Sequence, residues 1–234
     1  MQAVRDRNRI REFENSRIQE CAAARGGRVP FLNSRIHGFL SSVILTFVFA
    51  LPASAQVIEF ESNGLKYQTL TRSGVTVMFA AMPQHLHEYA IIQVAVSNGS
   101  QGPYVIRPED FTYMRLDGVE LRAVPARTVI TMLEQKGSAS DVIKLVSTYE
   151  AAVYGNQKLR STNGYEQRRR AAIAMGSTKL KAAATASAMA LVQSKLAAGE
   201  STDGAVFFLT EGKPLGPGYL VVRTNTDVFN FSGE

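Results

Sequence analysis

Between Val57 and Val124 the chain repeats one unit: a short apolar run in alternation with polar residues, then a pair of turn-forming residues. The runs 57–60, 65–70, 75–82, 89–96, 110–116 and 119–124 are set off by Asn63-Gly64, Ser73-Gly74, Asn98-Gly99 and Asp117-Gly118. Side chains alternate across a strand, so each run presents one apolar face. Two-residue turns between antiparallel strands need positive φ, which Gly, Asn and Asp adopt at little cost. Strands recurring at this spacing predict an all-β sandwich or barrel built from hairpins.

The pattern then changes. From Ala126 to Ala198 the alternation stops and helical spacing replaces it, with Val129, Met132 and Leu133 followed by Val142, Val146, Tyr149 and Val153. Ser138 stands three before Asp141 and Asn163 three before Glu166, as in capping boxes, while Gly137 and Gly155 fall where helices should stop. Strands resume after Gly199 as GAVFFL, GYLVVRT and VFNF. The expected fold is therefore mainly β: an immunoglobulin-like antiparallel β-sandwich with an α-helical insertion between two strands, α+β overall. Residues 56–125 and 199–234 form the sandwich and 126–198 the insertion. The sandwich residues number 106, near the roughly 100 of a complete immunoglobulin-type domain, so its core should close without the insertion.

The succession IIQVAVSNGSQGPYVIRPEDFTYMRLDGVEL, STDGAVFFL and YLVVRTNTDVFNF resembles secreted bacterial immunoglobulin-like domains of uncharacterised function. In those domains a strand ending Val-x-Asn precedes a Pro-Glu-Asp-Phe-like turn, and a Gly-x-Val-x-Phe strand follows. The resemblance covers residues 75–123 and 201–231. It implies a sandwich scaffold and supplies no catalytic residues; the helical window departs from it.

Residues 1–55 read as an N-terminal extension and secretory signal. Arg35 precedes an apolar stretch from Phe39 to Leu51, and Ala53-Ser54-Ala55 has the small-x-small cleavage pattern, leaving Gln56 first. The apolar stretch is shorter than the ~20 residues of a spanning helix, so the mature chain is expected to have no transmembrane segment. The 55 residues carry eight Arg against four acidic residues, leaving 18 basic and 16 acidic in the remainder, a formal charge of +2 rather than the +6 of the whole chain. Nucleic-acid binding, which needs clustered cations, loses its electrostatic basis. Cys21, the single cysteine, also precedes the cleavage point, so no thiol chemistry or disulfide is expected in the mature chain. The expected location is periplasmic or extracellular.

Three groups of residues are candidates for function. Met78, Met82, His85 and His87 place two thioethers and two imidazoles within ten positions, a soft ligand set suited to copper. In an extended strand His85 and His87 would face one side, whereas the competing reading puts Met78 in the core and the histidines in a solvated loop. Arg168, Arg169 and Arg170 either spread round a solvated helix or dock an acidic partner. Ala182, Ala186 and Ala190, followed by Leu191, form a small-residue ridge along which another helix can approach, within the chain or from a partner. The partner would be an envelope or extracellular protein, or a second copy.

Enzymatic activity is not expected. The segment after residue 55 has two histidines and no Gly-x-Ser-x-Gly elbow, so it lacks the usual activated nucleophile. The sequence thus predicts an exported, non-catalytic binding module whose insertion carries the recognition surface, with a periplasmic copper carrier as the alternative.

Overall fold

Two turns behave as their residues dictate. Asn63 and Gly64, at φ 50° and 74°, join β1 (Ile58–Ser62) to β2 (Leu65–Arg72); Ser73 and Gly74, at 49° and 80°, join β2 to β3 (Val75–Leu86). Both pairs have the doubly positive φ of the tight turn that matches strand twist. The computed structural model describes residues 56–154 and 164–232. The segment 1–55 expected to be a secretory signal, Cys21 within it, Gly155 and Asn163 lie outside the described residues.

The remaining elements are β4 (Tyr89–Asn98), β5 (Tyr104–Ile106), a 3₁₀ turn at Pro108–Asp110, β6 (Phe111–Arg115) and β7 (Glu120–Val124). Four helices follow, α1 (Ala126–Lys136), α2 (Ala139–Tyr154), α3 (Tyr165–Ile173) and α4 (Thr178–Met189). Then come β8 (Ser194–Leu196), β9 (Ser201–Leu209), β10 (Gly218–Arg223) and β11 (Val228–Asn230). Nine strands make one antiparallel sheet in the order β1-β2-β3-β4-β9-β7-β6-β10-β11, and β5 and β8 form a separate ribbon. This is a mixed α+β fold.

The sheet is continuous where two separate sheets were expected. Its two leaves, β1-β2-β3-β4-β9 and β7-β6-β10-β11, are joined through a two-residue ladder, Ala123 to Phe208 and Val124 to Phe207. A joint that short lets the sheet curl until its leaves face each other like a half-barrel. Phe79 and Phe231 meet edge to face at 4.9 Å across the interior, and Arg72 donates to the Val228 carbonyl at 2.5 Å, tying β2 to β11.

Alternation along the strands divides the molecule into two cores. Val77, Phe79, Ile92, Val94, Val206 and Phe208 point into the curl, where Phe111, Leu220, Val222 and Phe229 meet them. Tyr67, Met78, Ala80, Ile91, Ala205 and Phe207 point outward and are covered by Val129, Leu133, Leu145, Tyr149, Ala182, Ala186 and Met189 of the helices. The helices are thus one wall of a shared core rather than an appendage to a closed sandwich. The physical reason is that both faces of β3, β4 and β9 are apolar, and a strand buried on both sides needs a layer on each.

Asn98, read as a hairpin turn, instead organises a crossing of four segments. Its side chain is fully buried; Nδ2 donates to the carbonyls of Gly102, Leu196 and Ala197 at 2.8, 3.1 and 3.2 Å, and Oδ1 accepts from Ser100 N at 3.0 Å. The two N–H donors of the amide, one of them shared, reach three backbone carbonyls while its oxygen closes a turn, which no apolar side chain here could do. The consequence is that β5 and β8 are pinned beside β4 and β9.

Candidate binding groove

The helical layer ends against β9, and the seam is open. After α4 the chain runs along β9 through a parallel bridge between Ala190 and Ala205, with Leu191 N donating to the Ala205 carbonyl at 2.9 Å. Gly204 permits this approach, since a β-carbon there would lie 2.5 Å from the Leu191 α-carbon. Beside the contact lies a groove of about 550 Å³ lined by Arg168, Ala190, Val192, Ser194, Lys195, Glu200, Thr202 and Asp203. That volume falls within the range of ligand sites.

Asp203 is the group whose placement most needs explanation, because it is 6% exposed. Tyr149 of α2 donates its hydroxyl to Asp203 Oδ2 at 2.5 Å, and Gln93 Nε2 of β4 donates to the same oxygen at 3.3 Å. A buried carboxylate is tolerated when charge-assisted bonds replace its water. Tyr149 is itself held against Tyr165 of α3, with ring centroids 4.0 Å apart. Side chains from α2 and β4 therefore converge on one oxygen of the β9 aspartate beneath the groove.

The groove walls carry charge of both signs. Arg168 anchors one nitrogen on the Ala188 carbonyl at 3.0 Å. Its guanidinium has five donors, so further donors remain for a ligand. Lys195, on the exposed side of β8, supplies a second cation, while Glu200 is engaged by Ala197 N at 2.7 Å.

Arg168, Arg169 and Arg170 diverge as their spacing along a helix implies. Arg169 pairs with Glu150 of α2 at 2.8 Å, Arg170 with Glu166 of its own helix at 3.7 Å, and Arg168 alone reaches the groove. The alanine ridge lies inside the chain: Ala182 and Ala186 are fully buried, and Ala190 and Leu191 nearly so. Their small side chains let α4 lie close to α1, which leaves this ridge no exposed face for a partner. Ile173 and Leu180, by contrast, are exposed.

The four metal-ligand candidates are divided by burial. Met78 and Met82 are buried in the helix-facing core, His85 is exposed near the end of β3, and His87 occupies the β3–β4 turn at φ 51°. The two imidazoles are not consecutive same-side positions of one extended strand, because the chain turns at His87. Among the described residues no group of three or more His, Cys, Asp or Glu side chains is placed to hold a metal ion.

His87 Nε2 lies 3.1 Å from Asp141 Oδ2, and the same oxygen accepts from Ser138 N at 2.8 Å and Ser138 Oγ at 2.7 Å. Asp141 N in turn lies 3.3 Å from Ser138 Oγ, completing the capping box at the start of α2. Burial pushes the Asp141 carboxyl up, but the bonds from Ser138 and then His87 outweigh it and hold the group below the usual carboxylate range. Although Ser, His and Asp meet here, both Ser138 and His87 address the aspartate. A hydrolytic triad instead needs the serine bonded to the histidine.

The sequence reading found Arg168 and Ala190 but missed Asp203, Tyr149, Gln93 and Lys195. A usable signal was present: Gln93 interrupts the apolar run of β4 and Asp203 the start of β9, on strands otherwise buried. Their mutual proximity follows from the β4–β9 register, in which Gln93 sits opposite Ala205 and Ala95 opposite Asp203. The chain matches no known protein family, and no curated protein or solved structure matches it. Among the described residues no helix is long and apolar enough to cross a membrane.

Proposed function

We propose that the protein is an exported, non-catalytic binding module on an immunoglobulin-like scaffold, acting in the periplasm or outside the cell. Its binding site is the groove where the helical layer meets β8 and β9. The observation that carries this reading is the combination of a ligand-sized volume with a rigid floor, Asp203 held from β4 and α2, and two cations, Arg168 and Lys195, at the walls. Export is supported by the order of Arg35, the apolar stretch Phe39 to Leu51 and Ala53-Ser54-Ala55. Ser138 Oγ and His87 Nε2 both address Asp141 and not each other, an arrangement unlike a hydrolytic triad and in keeping with a non-catalytic role. The insertion contributes recognition through its seam with the sheet.

The cations suit an acidic side chain on a segment of an envelope or extracellular protein, since guanidinium and carboxylate pair with directional bonds. The chain with Arg168→Ala and Lys195→Ala tests this. Used as bait against envelope extract beside the natural chain, the double variant should lose the captured partner while its thermal melt stays unchanged. Equal capture by both would remove the groove from consideration.

A further inference from the structure

A second feature lies at the far edge of the same leaf, at β1. Among the described residues β1 pairs with β2 and has no ladder neighbour on its other side. Such an edge is a template for an added strand. Ile58 and Phe60 are exposed at 61% and 38%, and Phe60 stacks on Tyr67 with centroids 5.1 Å apart, extending the helix-facing apolar surface beyond the last helix. Glu59 and Glu61 point to the other face, where Glu59 accepts from Gln68 Nε2 and Glu61 stands opposite Lys66.

We propose that β1 is completed by a strand of another protein in which apolar and basic residues alternate. The faces dictate the pattern: apolar side chains continue the Ile58–Phe60 surface, and lysines or arginines meet Glu59 and Glu61. A second copy is disfavoured by parity. Two β1 strands related by a twofold axis run antiparallel with matching faces, so odd residues oppose odd residues. Both odd positions of β1 are glutamate, and like charges placed opposite each other are destabilising. The strand that resists itself therefore selects a basic partner.

Two synthetic peptides, one alternating valine with lysine and one alternating valine with glutamate, test the idea on the full chain. The lysine peptide should bind roughly tenfold tighter by fluorescence anisotropy, and its binding should slow amide hydrogen exchange in β1. The exposed double change Glu59→Lys and Glu61→Lys should reverse the preference. Equal affinity for both peptides, binding without protection of β1, or a preference unchanged in the variant would each overturn the proposal. So would protection, without peptide, of the β1 amides that point away from β2, which would show the edge covered by the chain itself. A dimer dissociated by the double change would assign the edge to a second copy instead.

Discussion

The inner and outer faces of the curled sheet are made by the same strands, yet they are filled in different ways. Inside the curl, Phe79, Phe111, Phe208, Phe229 and Phe231 interlock with branched residues, and strands meet strands. Outside, alanines such as Ala80, Ala95, Ala182, Ala186 and Ala205 are interspersed among larger residues such as Tyr67, Met78, Leu133 and Phe207, and the small side chains let the helices lie close. The polar floor of the groove, Asp203 with Gln93 and Tyr149, also lies on the outer face. Helices bring tyrosines to it, whereas the inner face offers an apolar surround. The inner face is thus built for cohesion, and the outer seam is where buried polar groups are held in place.

The largest test separates the two layers. Replacing residues 126–198 by a short Gly/Ser linker strips the cover from Tyr67, Met78, Ile91 and Phe207 and removes β8. The expected outcome is loss of cooperative unfolding and of near-ultraviolet circular dichroism. A linker chain that still unfolds cooperatively would show that the inner core suffices and that the helices serve recognition alone.

Phe208→Ala tests the inner face by itself. Phe208 is fully buried and lies edge-on to Tyr113 at 6.4 Å. The change should cost about 3–5 kcal/mol in urea denaturation, the range for removing a buried aromatic ring. A cost below about 1 kcal/mol would mean that the curl is loosely packed and that the helical face carries the fold.

The smallest effect sharpens the helical side. Asp141→Asn should cost about 1 kcal/mol at neutral pH, as for loss of a helix cap. Because the folded carboxyl of Asp141 is held low, its contribution is present above its unfolded pKa near 4 and is lost as pH falls through the lower folded value. The gap between the natural chain and the variant should therefore narrow below about pH 4 in acid-dependent denaturation. A gap constant with pH would show that Asp141 acts by shape and not by charge.

Much of this architecture is legible in the residues. The hairpin turns at Asn63-Gly64 and Ser73-Gly74, the main strands from β1 to β11 and the Ser138–Asp141 cap all follow from local chemistry. Two short strands, β5 and β8, escape such a reading because three residues carry no periodicity and their pairing depends on the remote side chain of Asn98. The groove is legible only in fragments, as an arginine on a helix and two polar residues in apolar strands.

What the sequence determined by itself was local: which segments are strands or helices, where they turn, and which residues alternate toward an apolar face. Hydrogen bonding within a turn and the period of a strand act over a few residues, so they can be read from a short window. The tertiary structure alone decided that β9 enters between β4 and β7, that a two-residue ladder lets one sheet curl, and that the alanine ridge faces inward. Those outcomes depend on contacts between segments far apart in the chain, such as Tyr89 with Leu209 and Ala123 with Phe208, where several arrangements satisfy the same local pattern and only the burial of both sheet faces selects among them.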